Sequence, residues 1–135
     1  MPAFFRPALR LAAPIALLLG AAGGAQAQDA ARGETVFKRV CAVCHMVGPD
    51  AKNRLGPVLN GIVGRKAGTI AGFAYSPANK NSDVTWGETE LKSYLRDPKA
   101  FMPGNRMIYA GLRNDADLGD LVAYLGRFDA DGRPK

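Results

Sequence analysis

The residues best suited to chemistry in this 135-residue chain stand together: both of its cysteines and its only histidine fall in Cys41-Ala42-Val43-Cys44-His45. Two thiols two residues apart, followed at once by an imidazole, form the pattern by which thiols add to the vinyl groups of a haem and the histidine ligates its iron. A dithiol redox pair also uses Cys-x-x-Cys, but it follows a strand in a βαβ unit, and Gly33 to Val40 upstream read as helix. A zinc site needs four ligands, and the chain offers no second cysteine or histidine cluster. A haem iron of this kind takes a second ligand opposite the histidine, and a methionine thioether there raises the potential. Met1 lies in the leader described below and Met46 adjoins His45, which leaves Met102 and Met107 in Phe101-Met102-Pro103-Gly104-Asn105-Arg106-Met107. Local physics prefers Met107, since the Pro103-Gly104 turn can lead the chain across a cofactor edge while Met102 packs in the core.

The elements that must position these groups read as helices. Asp29 can cap a first helix with an apolar face of Val36, Phe37 and Val40, Gly33 one turn earlier, running into Cys41. From Met46 to Ala74 glycine and proline punctuate the chain and predict loops. Ser76-Pro77 predicts a cap and first helical position for a short helix through Ala78 to Asn81. Thr85-Trp86-Gly87-Glu88 has the form of a capping box ahead of Leu91, Tyr94 and Leu95, with Pro98 closing that helix. Asn114 can cap a last helix, with Asp115 and Asp117 in its first turn and Leu118, Leu121, Val122 and Leu125 on one face. The polar stretch Asp129 to Lys135 predicts a frayed tail. No run alternates with period two, so the expected class is all-α: three principal helices, short helices and loops around one cofactor.

Residues 1–27 have the form of an export signal: Arg6 and Arg10, an apolar stretch to Leu19, and the small-residue exit Ala25-Gln26-Ala27. Leu11 to Ala22 is shorter than the roughly 20 apolar residues of a membrane anchor, which is the alternative reading. The expected organisation is therefore a signal peptide, 1–27, and one domain, 28–135, in the periplasm. Cleavage takes the formal charge from +6 to 16 basic against 12 acidic residues, a mild excess scattered along the chain. That suits an acidic protein partner or a solvated surface rather than nucleic acid. A domain of this size gains core surface from a flat apolar macrocycle and is expected to fold around it.

Over nearly all of residues 29–128 the chain resembles the class I cytochromes c, particularly the mitochondrial-like cytochrome c2 group of alphaproteobacteria. The matching segments are Gly33 and Phe37, Cys41 to His45, Gly56-Pro57-Val58-Leu59, Gly72-Phe73-Ala74-Tyr75, Asn79-Lys80-Asn81, Thr85-Trp86, Tyr94-Leu95, Pro98, Pro103 to Met107, and Leu121 to Leu125. The resemblance implies the class I fold, one haem c bound through Cys41 and Cys44, and iron ligated by His45 and Met107. It implies that the Pro57 carbonyl takes the second ring proton of His45. Tyr75 and Trp86 fall where the family bonds a haem propionate, and Arg65 where it sets a compensating charge. Tyr94, Asn79 and Asn105 resemble a polar network beside the ligand methionine. Gly33, Phe37, Leu121 and Tyr124 resemble the crossing of the first and last helices.

A soluble single-electron carrier is implied, not an enzyme, serving a cytochrome bc1 complex and a cytochrome c oxidase or photosynthetic reaction centre through transient contacts as a monomer. The acidic docking faces of such partners would meet Lys52, Arg54, Lys66, Lys99 and Arg106. Val40 departs from the lysine usual before the first cysteine in mitochondrial proteins, which weakens that face or tunes it to another partner. A haem-based ligand-binding or sensing module with a displaceable methionine is the alternative.

Overall fold

The computed structural model describes residues 27–135, so all of the expected signal peptide, 1–27, except Ala27 lies outside the described residues. The elements are α1 (Ala30–Val40), α2 (Pro77–Lys80), α3 (Glu88–Arg96), α4 (Pro98–Phe101) and α5 (Asp115–Gly126). Among the described residues the only extended pairings are isolated bridges, Lys66 with Thr85 and Phe128 with Pro134, so the all-α expectation holds.

The two terminal helices start where their caps are. The Asp29 carboxylate accepts from the amides of Ala31 and Arg32 at 2.9 and 3.2 Å, and Asn114 Oδ1 accepts from Asp117 N at 2.9 Å. Gly33, Val36 and Phe37 of α1 bury against α5, whose Leu118, Leu121, Val122 and Leu125 are all buried. The crossing is backbone against backbone. A Cβ on Gly33 would overlap the Asp120 carbonyl and lie 2.8 Å from Tyr124 Cβ. Phe37 and Tyr124 close one side with ring centroids 5.6 Å apart. On the other side Asp29 N donates to the buried Asp120 Oδ1 at 2.7 Å, with Arg32 Nε 3.3 Å from Oδ2.

Burial in this crossing holds the Tyr124 hydroxyl above its usual 10.0, and Glu34 adds to the effect. The neutral phenol is therefore favoured in the folded chain. Its contribution is whole below pH 10 and is lost as pH rises through the raised folded value. Tyr124→Phe is expected to flatten the alkaline limb of a stability-against-pH curve and to leave the neutral region nearly unchanged.

Three local expectations are corrected. Thr85 does not cap α3: Trp86 N donates to Arg65 O at 2.8 Å and Gly64 N to Trp86 O at 2.7 Å, which keeps Thr85 and Trp86 extended. The helix starts later, from Gly87, with no side-chain cap and with Glu88 and Glu90 at its positive end. Pro98 does more than close α3. Asp97 Oδ1 accepts from Ala100 N at 3.0 Å, so Pro98 becomes the first residue of the unforeseen α4. The tail is not frayed: Asp129 Oδ1 accepts from the amides of Asp131 and Arg133, and Lys135 N donates to Arg127 O at 2.7 Å. Gly132, at φ 79°, brings the turn against the Gly48 carbonyl, which Asn60 Nδ2 also holds at 2.9 Å. The short helix α2 starts with Pro77 as expected, its Ser76 Oγ accepting from Asn79 N at 3.2 Å, and ends at Lys80, one residue early.

Candidate functional site

The cysteine motif continues α1 by one turn. Cys41 N and Ala42 N both donate to Phe37 O, and Cys44 N and His45 N to Cys41 O, so the helix end carries two half-buried free thiols facing the same space. Burial pushes the Cys41 thiol up to about 11, with the neighbouring Cys44 thiol adding to it. His45 follows with its Nδ1 2.8 Å from Pro57 O. A carbonyl can only accept, so Nδ1 carries the hydrogen and Nε2 keeps its lone pair. Burial lowers the pKa of this imidazole, and the Pro57 bond opposes that only in part.

The His45 ring has a seat that the sequence did not advertise. Gly56 N donates to Cys44 O at 2.9 Å, and a Cβ on Gly56 would lie 2.6 Å from Nδ1 and 2.7 Å from Nε2. Glycine is required there to let the ring lie flat against the chain. Gly56→Ala is expected to cost about 2 kcal/mol by displacing the ring. It should also weaken the Pro57 bond, read as an altered His45 imidazole resonance in NMR spectra.

Cys41, Cys44 and His45 open on a cavity of about 430 Å³. Pro57, Arg65, Tyr75, Asn79, Trp86, Tyr94 and Met107 line it as well, with aliphatic walls that include Leu59, Ile62, Leu91 and Leu125. Residues as far apart in sequence as Val40 and Leu125 thus meet around one space, and every predicted site residue except Asn105 borders it. Arg65 donates to Asn60 O at 2.6 Å and Val58 O at 3.2 Å, and burial lowers its pKa without removing its charge. Tyr75 OH lies 3.4 Å from Ile70 N, with the Phe73 ring edge-on at 4.9 Å. Trp86 packs between Tyr94 and Phe101, at centroid distances of 4.9 and 6.0 Å.

The two methionines separate. Met102 is 6% exposed and sits in the core, whereas Met107 is half-buried at the cavity with its Sδ 3.9 Å from Tyr94 OH. Burial raises the Tyr94 hydroxyl to about 12, and a bond with the Asn79 side chain draws it back down in part. Asn105 does not join that pair. Its Nδ2 donates to Pro98 O at 2.7 Å and Met102 O at 2.8 Å, and its Oδ1 accepts from Met107 N at 3.0 Å, so it braces the loop that carries Met107.

The donor set suits an iron already held in a flat apolar macrocycle: two thiols to anchor it, one imidazole nitrogen, one thioether, and greasy walls. A bare metal ion has nothing comparable, since among the described residues no three His, Cys, Asp or Glu side chains are grouped so that they could hold one.

Residues 30–128 match the cytochrome c family model. The chain is 56% identical over 119 residues to cytochrome c2 of Blastochloris viridis, covering 88% of this chain and 93% of that one. The chain belongs to the cytochrome c family. Among solved structures, this cytochrome superposes on cytochrome c2 from Rhodospirillum centenum with a TM-score of 0.71 at 38% identity, over 75% of this chain and 98% of that one. On cytochrome cH from Methylobacterium extorquens the TM-score is 0.67 at 43% identity, over 72% and 96%. It is a monohaem c-type cytochrome and an electron carrier, not an enzyme. Two cysteines in the attachment pattern accord with haem c. Among the described residues no helix of the cytochrome is long and apolar enough to cross a membrane.

Proposed function

We propose that this cytochrome binds one haem covalently through Cys41 and Cys44, with His45 Nε2 and Met107 Sδ as the protein atoms that would hold its iron. The observation that carries the reading is the His45 Nδ1 to Pro57 O bond, which leaves Nε2 as the ring's only ligating atom beside a cavity that Met107 shares. When bound, the haem supplies a one-electron ferric/ferrous couple whose potential a thioether ligand raises.

The chain's own residues hold that couple steady. Pro57 fixes the tautomer and tilt of His45 and strengthens it as a donor. Tyr94 OH and the Asn105 brace keep the Met107 sulfur in place while charge changes beside it. The aliphatic walls exclude water, which lessens solvent reorganisation during transfer. Tyr75, Trp86 and Arg65 are the donors and the cation available to the haem carboxylates, and Arg65 is the one fixed charge among them.

The working place is the periplasm, after removal of residues 1–27. The donor is a cytochrome bc1 complex and the acceptor a cytochrome c oxidase or a photosynthetic reaction centre, met transiently by a monomer. Absorption spectra of the purified holoprotein test the ligand set: the thioether-to-iron charge-transfer band should be present and should persist under carbon monoxide. Rapid capture of carbon monoxide by the reduced protein would instead mark a ligand-binding module. A mature chain beginning at Gln28 in a periplasmic extract tests the location, and one that retains the leader on membranes would refute it.

A further inference from the structure

His45 takes its orientation from a loop, because the chain between α1 and α2 contains no helix. Two segments of that loop pair side by side. Gly56 N donates to Cys44 O at 2.9 Å, Pro57 O meets His45 Nδ1 at 2.8 Å, and Leu59 N donates to Met46 O at 3.0 Å. At Gly48 a side chain takes over from the backbone. Asn60 Oδ1 accepts from Gly48 N and Asn60 Nδ2 donates to Gly48 O, both at 2.9 Å, so one amide closes the end of the pairing. Arg65 holds the same segment from the other side, through Asn60 O and Val58 O. The placement of Pro57 O therefore depends on Asn60.

The C-terminal turn packs directly on that closing pair. A Cβ on Gly132 would overlap both the Gly48 carbonyl and Asn60 Nδ2, and one on Gly61 would lie 3.0 Å from Ala130 Cα. Gly48, Asn60 and Gly132 are all buried. The turn is also stiff: Asp129 N donates to Arg133 O at 2.9 Å and Gly132 N to Asp129 O at 3.0 Å. The Phe128 ring, edge-on to Tyr124 at 5.3 Å, ties it back to α5. Chain ends fray unless something holds them, and this one is held where it shields the Asn60 amide from competing water.

We propose that Asn60 and the turn 129–133, seated through Gly132, are positioning residues for His45: they hold Pro57 O on Nδ1 and so set the donor strength of the ring. The inference rests on the reading of His45 Nε2 as a ligand of the iron. A firm bond at Nδ1 makes the imidazole a stronger donor, which favours the ferric state. Loosening the Gly48–Asn60 pair weakens that bond and raises the potential. Water admitted to the cavity would lower it instead, because a polar surrounding also favours the ferric state, so the sign of the shift separates the two effects.

The test uses the holoprotein, with NMR to follow solvent exchange of the His45 Nδ1 hydrogen and voltammetry for the midpoint potential. At φ 79° and with no room for a Cβ, Gly132→Ala must lift the turn. Exchange should then quicken about threefold to tenfold, and the potential should rise. Asn60→Ala should do at least as much. Gly132 stands close to the chain end, so its variant decides the matter alone if Asn60→Ala does not fold. The double variant should add nothing to the larger single effect, since both act through one pair. Asn114→Ala, which removes the neutral cap of α5, controls for lost stability and should leave both readouts at wild type. Wild-type exchange and potential in Gly132→Ala overturn the proposal, as do a fallen potential, additive effects in the double variant, or equal changes in Asn114→Ala. If the iron does not shift the His45 ring resonances of the wild type, the ligand reading falls and this inference with it. Shifted resonances beside unmoved variants overturn this inference alone.

Discussion

Gly33→Ala is expected to destabilise the fold by about 3 kcal/mol, even though alanine is the better helix former by about 1 kcal/mol. The two effects oppose each other at this position, and packing should win. The new methyl would overlap the Asp120 carbonyl and press on Tyr124 Cβ, and a backbone carbonyl inside α5 has no rotamer by which to yield. The helices must separate, which also strains the Asp29 N to Asp120 Oδ1 bond. Gly119, also buried in α5, is the matched control: the nearest atoms to its Cβ would be those of the Gln28 side chain, Cγ at 3.5 Å. Gly119→Ala should therefore stabilise by about 0.5–1 kcal/mol through propensity alone. Denaturant unfolding at constant m-value reads both. Equal effects of the same sign would mean that the crossing is looser than these distances require.

The contrast between these glycines also shows what the chain revealed and what it concealed. Periodicity exposed the helix faces because Gly33, Val36 and Phe37, and Leu118, Leu121, Val122 and Leu125, fall at helical spacing and meet one partner surface. Caps were legible where the capping side chain is free to turn back, as in Asp29, Ser76 and Asn114. They misled at Thr85, where a tertiary contact, the exchange of hydrogen bonds with Gly64 and Arg65, holds the backbone extended. No local pattern contains that information. The turn at Asp129 to Gly132 was hidden for the same reason, since its closing partners, Gly48 and Asn60, lie far back in the chain.

The site was legible to the extent that its chemistry is contiguous. Cys41, Cys44 and His45 are neighbours, and their spacing identifies the reaction they suit. The rest of the cavity comes from loops whose residues are individually ordinary. Gly56 is one turn glycine among many until the His45 ring is seen resting on it, and Asn105 looks like a network residue until its side chain is seen tying the Met107 loop to Pro98 of α4 and to Met102. The placement of Val43, Leu55 and Ile108 was hidden for a different reason: by type they look like core residues, and only the structure shows them exposed.

The two methionines offer the largest functional contrast. Met107→Ala is expected to abolish the thioether charge-transfer band and to open the iron to carbon monoxide. The midpoint potential should fall by on the order of 0.1 V or more, within the roughly 0.8 V that axial ligands span. Loss of folding stability should be smaller, because Met107 is half-buried at a cavity wall and its loop is braced by Asn105 rather than by the sulfur. Met102→Ala should do the reverse. Its side chain is in the core, and deleting it leaves a void costing about 2–5 kcal/mol while the spectrum and the potential stay as they were. Tyr94→Phe lies between, since it removes the hydroxyl 3.9 Å from Met107 Sδ but not the sulfur, so the band should survive with a smaller shift in potential. If Met102→Ala loses the band and Met107→Ala keeps it, the ligand assignment must pass to the other methionine. The core around Trp86, Tyr94 and Phe101 would then have to open to release it, which is a far larger rearrangement than a loop brace can absorb.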